Sequence, residues 1–143
     1  MKNLIKLMLV VLFTACTKEI EAPDYNIDHG GYTPNYKIDV NIISPEESEL
    51  ITHGETIEIK GEITGNFLMH GYSIRLYNKS NNDSLLYVKN RHTHGDLIQF
   101  NGNWTNNLAE DQTLELEIFV VGNHEQTADE AKTIQLYAQG NGN

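Results

Sequence analysis

Thr56-Ile57-Glu58-Ile59-Lys60-Gly61-Glu62-Ile63 sets a polar side chain beside an apolar one at nearly every step, with Gly61 in one apolar slot. Leu114-Glu115-Leu116-Glu117-Ile118-Phe119-Val120 repeats the arrangement. Successive side chains of a strand point to opposite faces, so this period marks a half-buried antiparallel strand. Working outward, shorter versions occur at Ile38-Asp39-Val40-Asn41-Ile42, Ser73-Ile74-Arg75-Leu76, Ser84-Leu85-Leu86-Tyr87-Val88, Asp96-Leu97-Ile98-Gln99-Phe100 and Thr133-Ile134-Gln135-Leu136-Tyr137. Turn-forming clusters separate them at Ser44-Pro45, Thr64-Gly65-Asn66, Asn81-Asn82-Asp83, Asn101-Gly102-Asn103 and Val121-Gly122-Asn123.

Roughly seven strands over about a hundred residues predict an all-β domain at 36–140, an immunoglobulin-like antiparallel β-sandwich. A jelly roll or a small barrel is the alternative. The chain has one cysteine, so the disulfide of true immunoglobulin domains is absent and the resemblance is one of architecture.

Upstream, residues 1–15 read as a signal peptide. Lys2 and Lys6 precede the apolar run Leu7–Phe13, which is too short to span a bilayer as a helix. Phe13-Thr14-Ala15-Cys16 resembles the lipobox of bacterial lipoproteins, with Phe13 where leucine is usual. That resemblance implies cleavage before Cys16, lipid attachment at Cys16 and anchorage in the outer membrane of a bacterial cell envelope. The alternative is an ordinary secretory signal with a free thiol. Residues 16–35 contain Pro23, Gly30, Gly31 and Pro34 and no sustained period, as expected of a flexible tether. Cys16-Thr17-Lys18-Glu19 is similar to the export signal of Bacteroidetes-type surface lipoproteins, which implies display on the cell surface.

The chain carries 10 Lys+Arg against 20 Asp+Glu; without Lys2 and Lys6 that leaves 8 against 20, a formal charge of −12. Such a surface repels phosphate backbones, which excludes nucleic acid as a partner. No nucleophile elbow, phosphate loop, dinucleotide fingerprint or His-Glu-x-x-His pair is present, so no enzymatic activity is expected. The sole tryptophan, Trp104, is expected to pack against the core and not to serve as a platform for sugar or peptide.

Six histidines remain. Each antiparallel strand reverses the chain, so loops alternate between two ends of a sandwich. Counting reversals places His70, His92, His94 and His124 at one end, His53 at the other and His29 in the tether. In an extended His92-Thr93-His94 both imidazoles point the same way. The four top-loop histidines form a candidate site for Cu²⁺ or Zn²⁺, with Asp96, Glu125 and Asp129 to orient the imidazole N–H groups and Met69 as a soft ligand for copper.

The spacing is similar to that of periplasmic copper chaperones of cupredoxin-like fold, in which a Met precedes a His-x-Met by twenty-one residues. Here His70 is followed by twenty-one residues and then His92-Thr93-His94. His70 and His94 stand where that family has methionines, which favours Cu²⁺ or Zn²⁺ over Cu⁺. The expected protein is a non-catalytic, lipid-anchored metal-binding module. Its alternative is an adhesion or accessory module that recognises an envelope protein or glycan through the same loops.

Overall fold

The computed structural model describes residues 35–122 and 128–142. The signal segment 1–15, Cys16, the tether to residue 34, His124 and Glu125 lie outside the described residues. Pro34–Asn143 forms one compact unit. Its described residues hold six strands and no helix: β1 (Ile38–Ser44), β2 (Leu50–Ile51), β3 (Thr56–Asn78), β4 (Ser84–Thr105), β5 (Gln112–Val121) and β6 (Glu130–Ala138).

The pairings run β1-β3-β5-β6-β2, with β4 along the other side of β3. β3 has 23 residues, which extended would reach about 75 Å. A domain of this size has a radius of gyration of about 13 Å, so the β3–β4 ribbon has to fold over. Its first half pairs with β1 through Lys60–Gly65 and its second half with β5 through Gly71–Asn78. β4 follows β3 through both halves. Folding one ribbon across itself produces the two faces of an immunoglobulin-like β-sandwich.

Burial follows the pleat. Ile57, Ile59 and Ile63 are buried in the first half of β3, whereas Ile74 and Leu76 are buried in the second. The inward positions therefore change from odd to even, which an unbroken strand cannot do. Register shifts between Thr64 and Met69 and between Met69 and Gly71 absorb the odd count as bulges. Leu114, Leu116, Ile118 and Val120 of β5 and Ile134, Leu136 and Ala138 of β6 complete one core with Val40, Ile98 and Phe100. The Tyr72 and Phe100 rings, from opposite faces, lie 6.0 Å apart between centroids.

Two expectations about turns are corrected. Thr64-Gly65-Asn66 and Asn101-Gly102-Asn103 lie inside β3 and β4. The segments expected separately at 56–63 and 73–76 are one strand, as are those at 84–88 and 96–100, and with β2 added seven predicted strands become six. Gly102 is a packing residue: a Cβ there would meet the Tyr87 hydroxyl at 2.7 Å and Ile74 Cδ1 at 3.3 Å. Asn101 receives Lys89, whose Nζ donates to the Asn101 carbonyl at 2.7 Å and to its side-chain Oδ1 at 2.9 Å. Lys89 pairs with the buried Ile74 and so faces inward. It bridges the two halves of an edge strand and leaves that edge ill-suited to pairing with another chain. The Asn81-Asn82-Asp83 turn stands as read, with φ of 49° at Asn82 and 54° at Asp83, the left-handed pair a tight hairpin favours.

Candidate metal site at the ribbon bend

His70, His92 and His94 all occur where the ribbon bends, and they lie within β3 and β4, not in loops as expected from the sequence. They meet because Met69 pairs with Gly95 and Gly71 with His92, leaving His70 opposite the bulged Thr93-His94. Gly71 permits that bulge. Its φ is +149°, and a Cβ would meet the Arg91 carbonyl oxygen at 2.3 Å. Gly71→Ala is expected to destabilise the domain by about 2–3 kcal/mol and to separate His70 from His94. Urea titration and histidine ring NMR shifts check this; an unchanged midpoint would show that the bend does not need glycine.

His94 is the centre of the cluster. Its Nε2 lies 2.9 Å from His70 Nδ1, hydrogen-bonding distance, and the two rings meet edge-on at 4.7 Å and 86°. His92 approaches His94 on the other side, with centroids 4.8 Å apart at 84°. His92 and His94 are exposed and His70 is half-buried. Among the described residues, no three His, Cys, Asp or Glu side chains already stand as a set to hold a metal ion; the histidines form two touching pairs that share His94.

A metal–nitrogen distance of about 2.0–2.1 Å puts two ligands about 2.8–3.0 Å apart at a right angle and about 3.3–3.4 Å apart at the tetrahedral angle. The 2.9 Å separation of His70 and His94 matches the first. The exposed His92 ring would have to turn to add a third nitrogen.

Among the described residues, Asp96, Asp129 and Met69 do not join the histidine cluster as ligands or orienting groups. Asp129 is committed elsewhere, its Oδ1 accepting the Gly122 amide at 2.9 Å. Asp96 is exposed two residues beyond His94, and neither carboxylate hydrogen-bonds to His92 or His94 among the described residues. Met69 is fully buried in the core and is unavailable as a surface ligand, because it fills the inside of the bend. His53 lies in the turn before β3, away from the bend, its Nδ1 3.0 Å from the Leu108 carbonyl oxygen. Trp104 is half-buried against the core.

Two neighbours escaped the sequence reading. Arg91 follows the inward pleat of β4 beside Tyr72, and burial pushes the Tyr72 phenol above its ordinary value of 10.0, with Arg91 opposing the shift. The glycine directly after His70 was the available signal for a bulge.

No family model and no curated protein matches this chain. In structure, the chain is similar to the CARDB domain of a Pyrococcus furiosus protein, crystallised in complex with di-metal ions, at TM-score 0.47 and 14% identity over 72% of this chain and 88% of that one. The solution NMR structure of that domain aligns at TM-score 0.47 and 13% identity, over 73% and 95%. The ASH/PapD-like domain 7 of human CEP192 aligns at TM-score 0.37 and 14% identity, over 73% and 84%.

Proposed function

We propose that this chain is a lipid-anchored protein of the bacterial cell envelope, held through Cys16, whose sandwich binds a transition metal ion without catalysis. His70, His92 and His94 are the ligands from the ribbon, and His124 is the fourth candidate from the sequence. The observation that carries this reading is the 2.9 Å approach of His94 Nε2 to His70 Nδ1 with His92 packed on the same ring. Three imidazoles in touch form a borderline-soft donor set, and a right-angle pair suits the tetragonal preference of Cu²⁺ better than the tetrahedral preference of Zn²⁺. In the metal-free form the close nitrogens share an N–H···N bond, which the ion replaces.

Calorimetric titration of residues 17–143 with Cu²⁺ and Zn²⁺ tests this. One equivalent of Cu²⁺ is expected to bind tightly. His94→Ala should weaken binding by about 10- to 100-fold, more than His92→Ala, because His94 touches both partners. Affinity equal to that of an ordinary exposed histidine pair, and insensitive to both changes, would refute the site.

A further inference from the structure

Among the described residues the sandwich has three strand edges: β4 along both halves, β2 and β1. Two of them discourage a further strand, β4 through the inward Lys89 and β2 through its length of two residues. β1 is different. It runs for seven residues without a proline, its inward side chains Ile38, Val40 and Ile42 are all apolar, and its register shift comes at the end, between Ile42 and Ser44.

Antiparallel partners alternate between residues that exchange hydrogen bonds and residues that do not. Lys37 is turned toward β3: its carbonyl accepts the Asn66 amide at 3.2 Å, and its amide donates to Asn66 Oδ1 at 2.9 Å. The alternation then turns Asp39, opposite Thr64, and Asn41, opposite Glu62, the same way. The Asn41 carbonyl does lie on that side, where a Cβ on Gly61 would collide with it. Ile38, Val40 and Ile42 therefore aim their N–H and C=O groups at the free edge. Such a row is a template for one more strand.

The row is complementary to itself. A two-fold axis between the Val40 residues of two copies sets Val40 against Val40 and Ile38 against Ile42. All three pairings join residues whose backbone groups face the edge, enough for about six hydrogen bonds. On the outer face the same axis sets Asp39 opposite Asn41, so no like charges are opposed. It also brings the Ile43 end of one strand to the Tyr36 end of the other, and these large side chains are 55% and 40% exposed in the single chain. We propose that two copies of this chain associate through β1 in this register, joining their sheets into one. Pairing over 38–42 is small for an interface, so a Kd of about 10–100 µM is expected. The formal charge of −10 on each chain opposes association, so added salt should tighten it.

The test is amide hydrogen exchange by NMR on the full chain in dodecylphosphocholine, with micelles in excess over chains, from about 10 µM to 1 mM to bracket that Kd. Exchange at Ile38, Val40 and Ile42 should slow as concentration rises, while Asp39, bonded to β3, serves as the unchanging reference. Asn41 is exposed, so its substitution tests the register without disturbing the core. Asn41→Asp opposes two carboxylates twice in the dimer and should weaken association roughly threefold or more; Asn41→Lys opposes Asp39 with a cation and should tighten it by a similar factor. Asn81→Asp and Asn81→Lys, in the exposed turn before β4, make the same charge changes away from the edge and should have smaller effects. Exchange at Ile38, Val40 and Ile42 that ignores concentration overturns the proposal, whether it is fast because the edge is open or slow because another part of the same chain covers it. So does association that responds to Asn41→Asp and Asn41→Lys no more than to the Asn81 changes.

Discussion

Asn106→Ala is expected to destabilise the domain by about 4 kcal/mol, read as a lower urea midpoint at unchanged slope. The side chain is fully buried and uses all of its amide geometry. Nδ2 donates to the Ile51 carbonyl at 3.0 Å and to the Gln139 carbonyl at 2.8 Å, while Oδ1 accepts the Leu108 amide at 3.1 Å. Its main chain adds two bonds, with Asn106 N donating to the Glu55 carbonyl and its own carbonyl accepting from Gly54 N. The residue ties the end of β4 to β2 and to the chain leaving β6. Alanine would strand the Gln139 carbonyl and the Leu108 amide where water has little access, each costing about 1–3 kcal/mol, while the Ile51 carbonyl would keep only the Gln139 amide.

Asn106→Asp sharpens the test because it keeps the shape. A carboxylate oxygen would face the Ile51 and Gln139 carbonyls in place of the donor, so the folded protein favours the protonated acid over the ion. An acid whose proton is held more tightly when folded than at its ordinary value of about 3.9 makes the native state bind more protons than the unfolded one. Stability then falls as pH rises through that region. The deficit relative to the parent chain should be larger at pH 7 than at pH 4. A loss below about 1 kcal/mol from either substitution would mean that the buried amide is not what holds the strand ends together.

Gly61→Ala should carry the next largest effect, about 3–4 kcal/mol. Gly61 occupies an inward position of β3 opposite Phe100, and the Phe100 ring covers it. A Cβ would lie 2.5 Å from Phe100 Cζ and 2.1 Å from the Asn41 carbonyl oxygen. Relief would require moving both the ring and the neighbouring strand β1. Phe100→Leu combined with Gly61→Ala should recover part of the loss, because a shorter side chain frees space on one side and leaves the Asn41 clash. Chemical denaturation of the single and double variants checks this, and strict additivity would show that the ring and the glycine do not interact.

The same glycine shows how far the sequence could be read. Gly61 interrupts Ile57-x-Ile59-x-Gly61-x-Ile63, yet the alternation around it was strong enough to keep the segment a strand. Gly102 misled, because Asn101-Gly102-Asn103 carries the composition of a turn. Its glycine is required by Tyr87 and Ile74 from the facing half of the sandwich, partners that composition alone does not reveal. His70, His92 and His94 were brought together by counting strand reversals, and the structure does unite them. It does so through cross-strand register inside one long hairpin, not through loops at one end. Sequence proximity suggests Asp129 as an orienting carboxylate and Met69 as a soft ligand, but the Gly122 amide claims the carboxylate and the core claims the thioether.

What the chain determined by itself is the all-β class and the inward residues of the clearly alternating stretches 57–63 and 114–120. Side-chain alternation is a local property of extended backbone, and burying one face of it suffices to select the pleat. Tertiary structure alone decided that two pairs of strands are continuous, that their inward parity flips at a bend, that Asn106 is buried, and that His94 shares nitrogen contact with His70. Each of these depends on which distant segment fills the neighbouring space. A one-residue bulge, invisible in composition, exchanges every partner beyond it.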